Sequence, residues 1–179
     1  MKKIILIAIA SFALVQCAKK ENPFLIENGK IGNLKKEFTL TQIDSVFAKD
    51  SIVKPVTDDE FTGNINDIEI FEKGGKHLLS LSPNDDKTIN IVTLHDVRYQ
   101  TEKGISLNST FKDFRTHYEV SKINRMLNNI IIDFKNQEFY ITVDVNQLPS
   151  EYQFDYNARV EAVSIPDTAK IKSLQLDWM

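Results

Sequence analysis

Past an apolar start, two hydrophobic periods alternate along the chain. Thr41-Gln42-Ile43-Asp44 has the T-x-x-D form of a helix start, and Ile43, Val46 and Phe47 follow at helical spacing, which predicts a short helix over 41–49. In IEIFEKGGKHLLSLSP, Ile68 and Ile70 share one face and Leu79 and Leu81 share the other strand's face, with Gly74-Gly75 between them. That is the pattern of a β-hairpin. Ile89 and Ile91 alternate with polar residues after a turn at Pro83 to Lys87, and Val97 and Tyr99 predict a further strand. The order then recurs. Gly104 precedes Thr110-Phe111-Lys112-Asp113, a second T-x-x-D cap, with Phe111, Phe114 and Tyr118 on one helical face. Ile130, Ile132 and Phe134 form one apolar strand face, and Phe139, Ile141, Val143 and Val145 form the clearest alternation in the chain. Leu174, Leu176 and Trp178 at period two predict a closing strand.

Glycine, capped helix and hairpin thus appear in that order twice, in roughly 30–82 and 103–145. An internal α-β-β duplication and the ordinary recurrence of a common pattern both fit, since identity between the halves is thin. Either way the fold class is α+β: an antiparallel sheet of hairpins with one apolar face, covered by two short helices.

Residues 4–15, IILIAIASFALV, carry no charge and follow Lys2 and Lys3. This is the layout of an export signal. As a helix the run would rise roughly 18 Å, short of the roughly 30 Å of a bilayer core, and it is apolar on every side. It ends at Cys17, the chain's one cysteine, which cannot form an internal disulfide. Leu14-Val15-Gln16-Cys17 resembles the lipobox of bacterial lipoproteins, with Gln16 where Gly, Ala or Ser is usual. The resemblance implies cleavage before Cys17 and attachment of acyl chains there, and two or more such chains hold a protein firmly on a membrane. The expected organisation is a signal peptide at 1–16, a lipidated cysteine and linker at 17–23, and one α+β domain at 24–179.

The charge balance, 22 basic against 25 acidic residues, becomes more acidic once Lys2 and Lys3 are removed. Its lysines are interleaved with acids, without the basic stripe of a nucleic-acid binder, so no nucleic-acid partner is expected. KIGNLKKEFTLTQIDSVFAKDSIV, QTEKGISLNSTFKDF and IPDTAKIKSLQLDW resemble segments of small uncharacterised lipoproteins of Bacteroidetes bacteria. That resemblance implies an envelope protein at the outer membrane. Ala18 and Lys19 differ from the aspartate-based inner-membrane retention signal, which fits onward transport.

Residues for chemistry are sparse. Gly104-Ile105-Ser106-Leu107-Asn108 lacks the second glycine of a nucleophile elbow. His77, His95 and His117 are far apart in sequence without ligand spacing, His77 falls in phase with Leu79 and Leu81, and His95-Asp96 would point to opposite faces of a strand. The acidic runs Asp58-Asp59-Glu60 and Asn84-Asp85-Asp86 lack EF-hand spacing and read as solvated turns. The sequence therefore predicts no catalytic residue, no metal ligand and no cofactor. One place is a candidate for ligand binding. Ser109 and Thr110 open the second helix, where free N–H groups attract anions, and Arg98, Lys103 and Lys112 are close in sequence. Thr110 capping its own helix is the competing explanation. The expected function is a lipid-anchored, non-catalytic envelope module whose partners are membrane lipid, through acylated Cys17, and an envelope protein or small ligand. The alternative is an envelope hydrolase or small-ligand receptor using Arg98, His95, Asp96 and the Ser109-Thr110 helix start.

Overall fold

The computed structural model describes residues 22–55 and 67–178. The signal segment, Cys17 and Asp58-Asp59-Glu60 lie outside them. The described chain opens with β1 (Leu25–Glu27), β2 (Lys30–Ile31) and β3 (Leu34–Lys35). A 3-10 turn, Leu40–Gln42, runs into α1 (Ile43–Val46), followed by β4 (Ser51–Val53), β5 (Ile68–Phe71), β6 (His77–Pro83) and β7 (Ile89–Leu94). β8 (Gln100–Thr101) then leads to α2 (Phe111–His117), β9 (Val120–Met126), β10 (Asn129–Phe134), β11 (Phe139–Asp144), α3 (Ser150–Phe154) and β12 (Ile171–Asp177).

The fold is α+β and mostly antiparallel sheet, as the alternating periods predict. Eight strands form one sheet in the order β4-β5-β6-β7-β12-β11-β10-β9, and a small second sheet has the order β3-β2-β1-β8 with β1 and β8 parallel. Each half is a helix followed by four strands, and the halves meet where β7 pairs with β12. The strand expected to close the sheet is therefore central: Leu174 and Leu176, both fully buried, need strands on either side.

Two further expectations change in detail. The first helix is capped at Thr39, whose N–H donates to Gln42 Oε1 at 3.0 Å, so the overlapping T-x-x-D at Thr41 is not the boundary. Val97 and Tyr99 lie in a turn. The Asp96 carboxylate accepts from the Arg98 N–H at 2.9 Å and the Tyr99 N–H donates back to the Asp96 carbonyl at 3.1 Å, a local closure that competes with extension into a strand.

The halves share an anchoring geometry. Thr39 bridges Thr88 just before β7, and Thr110 bridges Lys170 just before β12. Leu40 N–H donates to Lys87 O at 3.0 Å, and Phe111 N–H to Ala169 O at 2.9 Å. Each helix is thereby tied to the fourth strand of its own half. α1 buries Ile43 and α2 buries Phe111 and Phe114, the last stacked at 5.6 Å on Phe134 and edge-on at 6.1 Å to Phe139. These side chains join one core with Ile26, Ile31 and Leu34 of the small sheet and the apolar face of the large one.

The large sheet's other face is polar. One row of paired residues crosses it from end to end: Val53, Glu69, Ser80, Thr93, Gln175, Tyr140, Asp133 and Lys122. Gln175 donates to Thr93 Oγ1 at 2.9 Å across the seam between the halves. Among the described residues no helix is long and apolar enough to cross a membrane.

Candidate functional site on the outer face of the first half

Within that row, Glu69 on β5 and Ser80 on β6 are direct cross-strand partners. Alternation puts both on the polar face, between Ile68 and Ile70 on one strand and Leu79 and Leu81 on the other. His95 follows β7 in phase with Thr93, the partner of Ser80, and its N–H donates to Leu78 O at 3.0 Å. His77 would point into the core if β6 were regular. It does not, because the pairing shifts between Ile70 and Phe71: Ile70 faces Leu79 and Phe71 faces His77, leaving Leu78 as an extra residue. Such a bulge reverses side-chain parity. Leu78 turns inward, 4% exposed, and His77 turns out toward Glu69. The in-phase expectation for His77 with Leu79 and Leu81 is corrected on that ground.

The result is a compact cluster. His77 Nε2 is 2.6 Å from Glu69 Oε2, the Ser80 hydroxyl donates to the same oxygen at 2.6 Å, and His95 Nε2 is 2.7 Å from Ser80 Oγ. The two imidazoles stack with centroids 3.7 Å apart at 16°, and Phe71 stacks on the other side of His77 at 4.5 Å. An ionised Glu69 only accepts, and Ser80 has one proton to give. His77 therefore donates from Nε2 to Glu69, and His95 donates from Nε2 to Ser80. Burial of the His95 edge against Ser80 lowers its pKa, the neighbouring His77 lowers it further and Glu69 opposes both. The carboxylate oxygen and imidazole nitrogens of Glu69, His77 and His95 lie within 4.8 Å of one another.

Serine beside histidine and carboxylate invites comparison with a nucleophilic triad, and the order is wrong for one. In a triad the histidine stands between the serine and the carboxylate, whereas here Ser80 stands between His95 and Glu69. Ser80 also lies mid-strand between β5 and β7, where backbone N–H groups are committed to the ladders and cannot form an oxyanion hole.

The residues expected to bind an anion have separate partners. Arg98 donates from Nη1 and Nη2 to Glu72 at 3.0 and 2.9 Å and from Nε and Nη2 to Asp96 at 2.9 and 2.6 Å, with its guanidinium 4.2 Å over the Phe24 ring. Lys76 adds a contact to Asp96 at 3.1 Å. The Asp96 side chain is shielded from solvent, which alone would raise its pKa, yet the bonds from Arg98 and Lys76 outweigh burial and bring it down to about 2. This arginine clamps the β5–β6 turn to the segment after β7. Its fork is occupied.

At the start of α2, Thr110 donates from N and Oγ1 to Asp113 Oδ2 at 2.7 and 2.9 Å, the reciprocal half of a capping box. The N–H groups of Phe111, Lys112, Asp113 and Phe114 all donate to carbonyls, those of Ala169, Asp167 and Thr110. The donors an anion would use are thus engaged. Ser109 Oγ accepts from Ser106 N–H at 3.1 Å, and Lys112 reaches Asp167 at 3.9 Å. Lys103 is exposed beside a cleft of about 420 Å³ that it shares with Glu27, Glu102 and Tyr118. His117 is exposed on α2.

Neither Glu69 nor Ser80 stands out in the sequence as chemistry. Counting the hairpin register outward from Gly74-Gly75 would have set them opposite one another.

No protein-family model matches this sequence, and no curated protein matches it. Among solved structures the chain aligns with the crystal structure of the uncharacterized protein yfeY from Escherichia coli at 11% identity and a TM-score of 0.48, covering 87% of this chain and 99% of that one.

Proposed function

We propose that this chain is a lipid-anchored lipoprotein of the bacterial cell envelope, held at the outer membrane through acylated Cys17, whose β-rich body works by binding and not by catalysis. The observation that carries the reading is Leu14-Val15-Gln16-Cys17 at the end of an uncharged run that begins at Ile4. The segment is too short to span a bilayer and ends at the residue type that accepts diacylglyceryl and acyl groups. The described body begins at Asn22, so an extended leader from Cys17 holds it within about 18 Å of the lipid surface. Support for a binding role comes from the outer face, where the serine and histidines are arranged as a donor–acceptor chain without a hole for an oxyanion.

The test is made in native cells. The protein should sediment with membranes and give an intact mass that lacks residues 1–16 and carries a lipid increment. Cys17→Ser should appear in the soluble fraction with an unchanged circular dichroism spectrum. Retention of residues 1–16 in the native protein, or persistence of Cys17→Ser on washed membranes, would reject the reading.

A further inference from the structure

We propose that Glu69, His77 and His95 form a binding site for a divalent transition-metal ion of the Zn²⁺ class on the outer face of the first half of the sheet. The proposal goes beyond membrane anchoring and stands on the described body alone.

Three observations carry it. The donor set is two imidazole nitrogens and one carboxylate oxygen, a combination that suits Zn²⁺ and leaves a fourth position for water. Tetrahedral Zn²⁺ with ligands at about 2.0–2.2 Å separates its donor atoms by about 3.3–3.5 Å. Glu69 Oε2 and His77 Nε2, at 2.6 Å, need to part slightly, and no pair of donors exceeds 4.8 Å. The stacked rings must splay so that both lone pairs converge. His95 is exposed and β7 has ended before it, so its ring can swing without disturbing the core.

As ligands, each imidazole would carry its proton on Nδ1 and offer Nε2 to the metal, and Glu69 would bind as the carboxylate. Ser80 keeps its hydroxyl hydrogen bond to Glu69 and orients that ligand from behind, as outer-shell partners do. The backbone holds the ligands in place, since Glu69 and Ser80 are fixed by a ladder pair and His77 is presented by the bulge at Leu78. A histidine turned to the solvent face by a bulge and stacked on a second histidine is an arrangement that packing alone does not require.

The test titrates Zn²⁺ into the full chain purified in detergent, by calorimetry, and records the visible spectrum with Co²⁺ as the probe. The native chain should take up one Zn²⁺ and give the intense visible absorption of tetrahedral Co²⁺. His95→Ala and His77→Ala should each weaken binding by more than about a hundredfold, and Ser80→Ala by about 10–100-fold, the range for an outer-shell partner. His117→Ala should bind as the native chain does. Cys17→Ser should also bind normally, so that failure of the anchoring reading leaves this result untouched. Because His95 is exposed, His95→Ala should unfold at the native temperature without metal, and Zn²⁺ should raise the midpoint of the native chain but not of this variant. Absence of a saturable site of one Zn²⁺ per chain, native-like affinity in His95→Ala, or an equal loss in His117→Ala would overturn the proposal.

Discussion

On the outer face of the first half, Glu69, Ser80 and Thr93 stand in the row that Asp133, Tyr140 and Gln175 occupy in the second. An acid, a hydroxyl and a neutral polar side chain succeed one another from the edge to the seam in both. In the first half the acid gathers two donors, His77 and Ser80, on one oxygen. In the second, burial raises the pKa of Asp133, Lys122 across the pair lowers it and Asp177 raises it again. The difference arises from local backbone: one extra residue at Leu78 turns His77 outward, and His95 continues the polar face beyond β7. A common scaffold acquires a candidate site in one half through a single irregularity and one residue past a strand end.

Three sets of substitutions sharpen or break the comparison. The largest effect is expected in the turns that precede each helix. Gly32 has φ +53, and a Cβ there would sit 2.1 Å from the Pro23 carbonyl oxygen, whereas Gly104 has φ +74 and meets only the end of Gln100 at 4.0 Å. Pro23 cannot simply yield, since the next residue, Phe24, packs edge-on to Tyr99 at 5.1 Å and under Arg98. In urea titrations Gly32→Ala should cost about 2–5 kcal/mol, against about 1–2 kcal/mol for Gly104→Ala. Equal costs would remove the steric distinction between the two turns.

The second set concerns two acids of opposite sign. The folded pKa of Asp96, about 2, lies below its unfolded value near 3.8. Its stabilisation, about 2 kcal/mol, is therefore present above pH 4 and lost as pH falls toward 2. Asp133 has a raised pKa, so its ionised form opposes folding and stability falls as pH rises through its folded pKa. Denaturation followed against pH should show Asp96→Asn removing an acid-side loss of stability and Asp133→Asn removing a neutral-side penalty. The smallest expected effect tests equivalence directly. Thr39→Ala and Thr110→Ala should each cost about 1 kcal/mol and agree within a few tenths, because both caps tie a helix to the fourth strand of its half. A clear inequality would show that the two anchors are not equivalent.

Alternation made much of the large sheet legible. Ile68 and Ile70, Leu79 and Leu81, Ile130 and Ile132, and Phe139, Ile141 and Val143 face the core as their period-two spacing predicts. The small sheet stayed hidden because β2, β3 and β8 are two residues each, too short to show a period. Val97 and Tyr99 alternate by accident, since the Asp96 carboxylate turns the chain there. The site was harder. Glu69, Ser80 and His95 lie in phase with strands that the sequence shows, so a counted register would have gathered them, but His77 depends on the bulge at Leu78, which no periodicity encodes. Arg98 looked available in a sequence that cannot show Glu72 folding back onto it.

β12 pairs with β7, whose residues precede it by about eighty positions, while the other six pairings of neighbouring large-sheet strands join strands consecutive in sequence. Each half can zip from its own hairpins, but until β12 docks, β7 and β11 both present bare edges. Joining the halves is the step with the largest loop-closure entropy, so the folding rate should be governed by the seam, and aggregation should compete at that moment more than at any other.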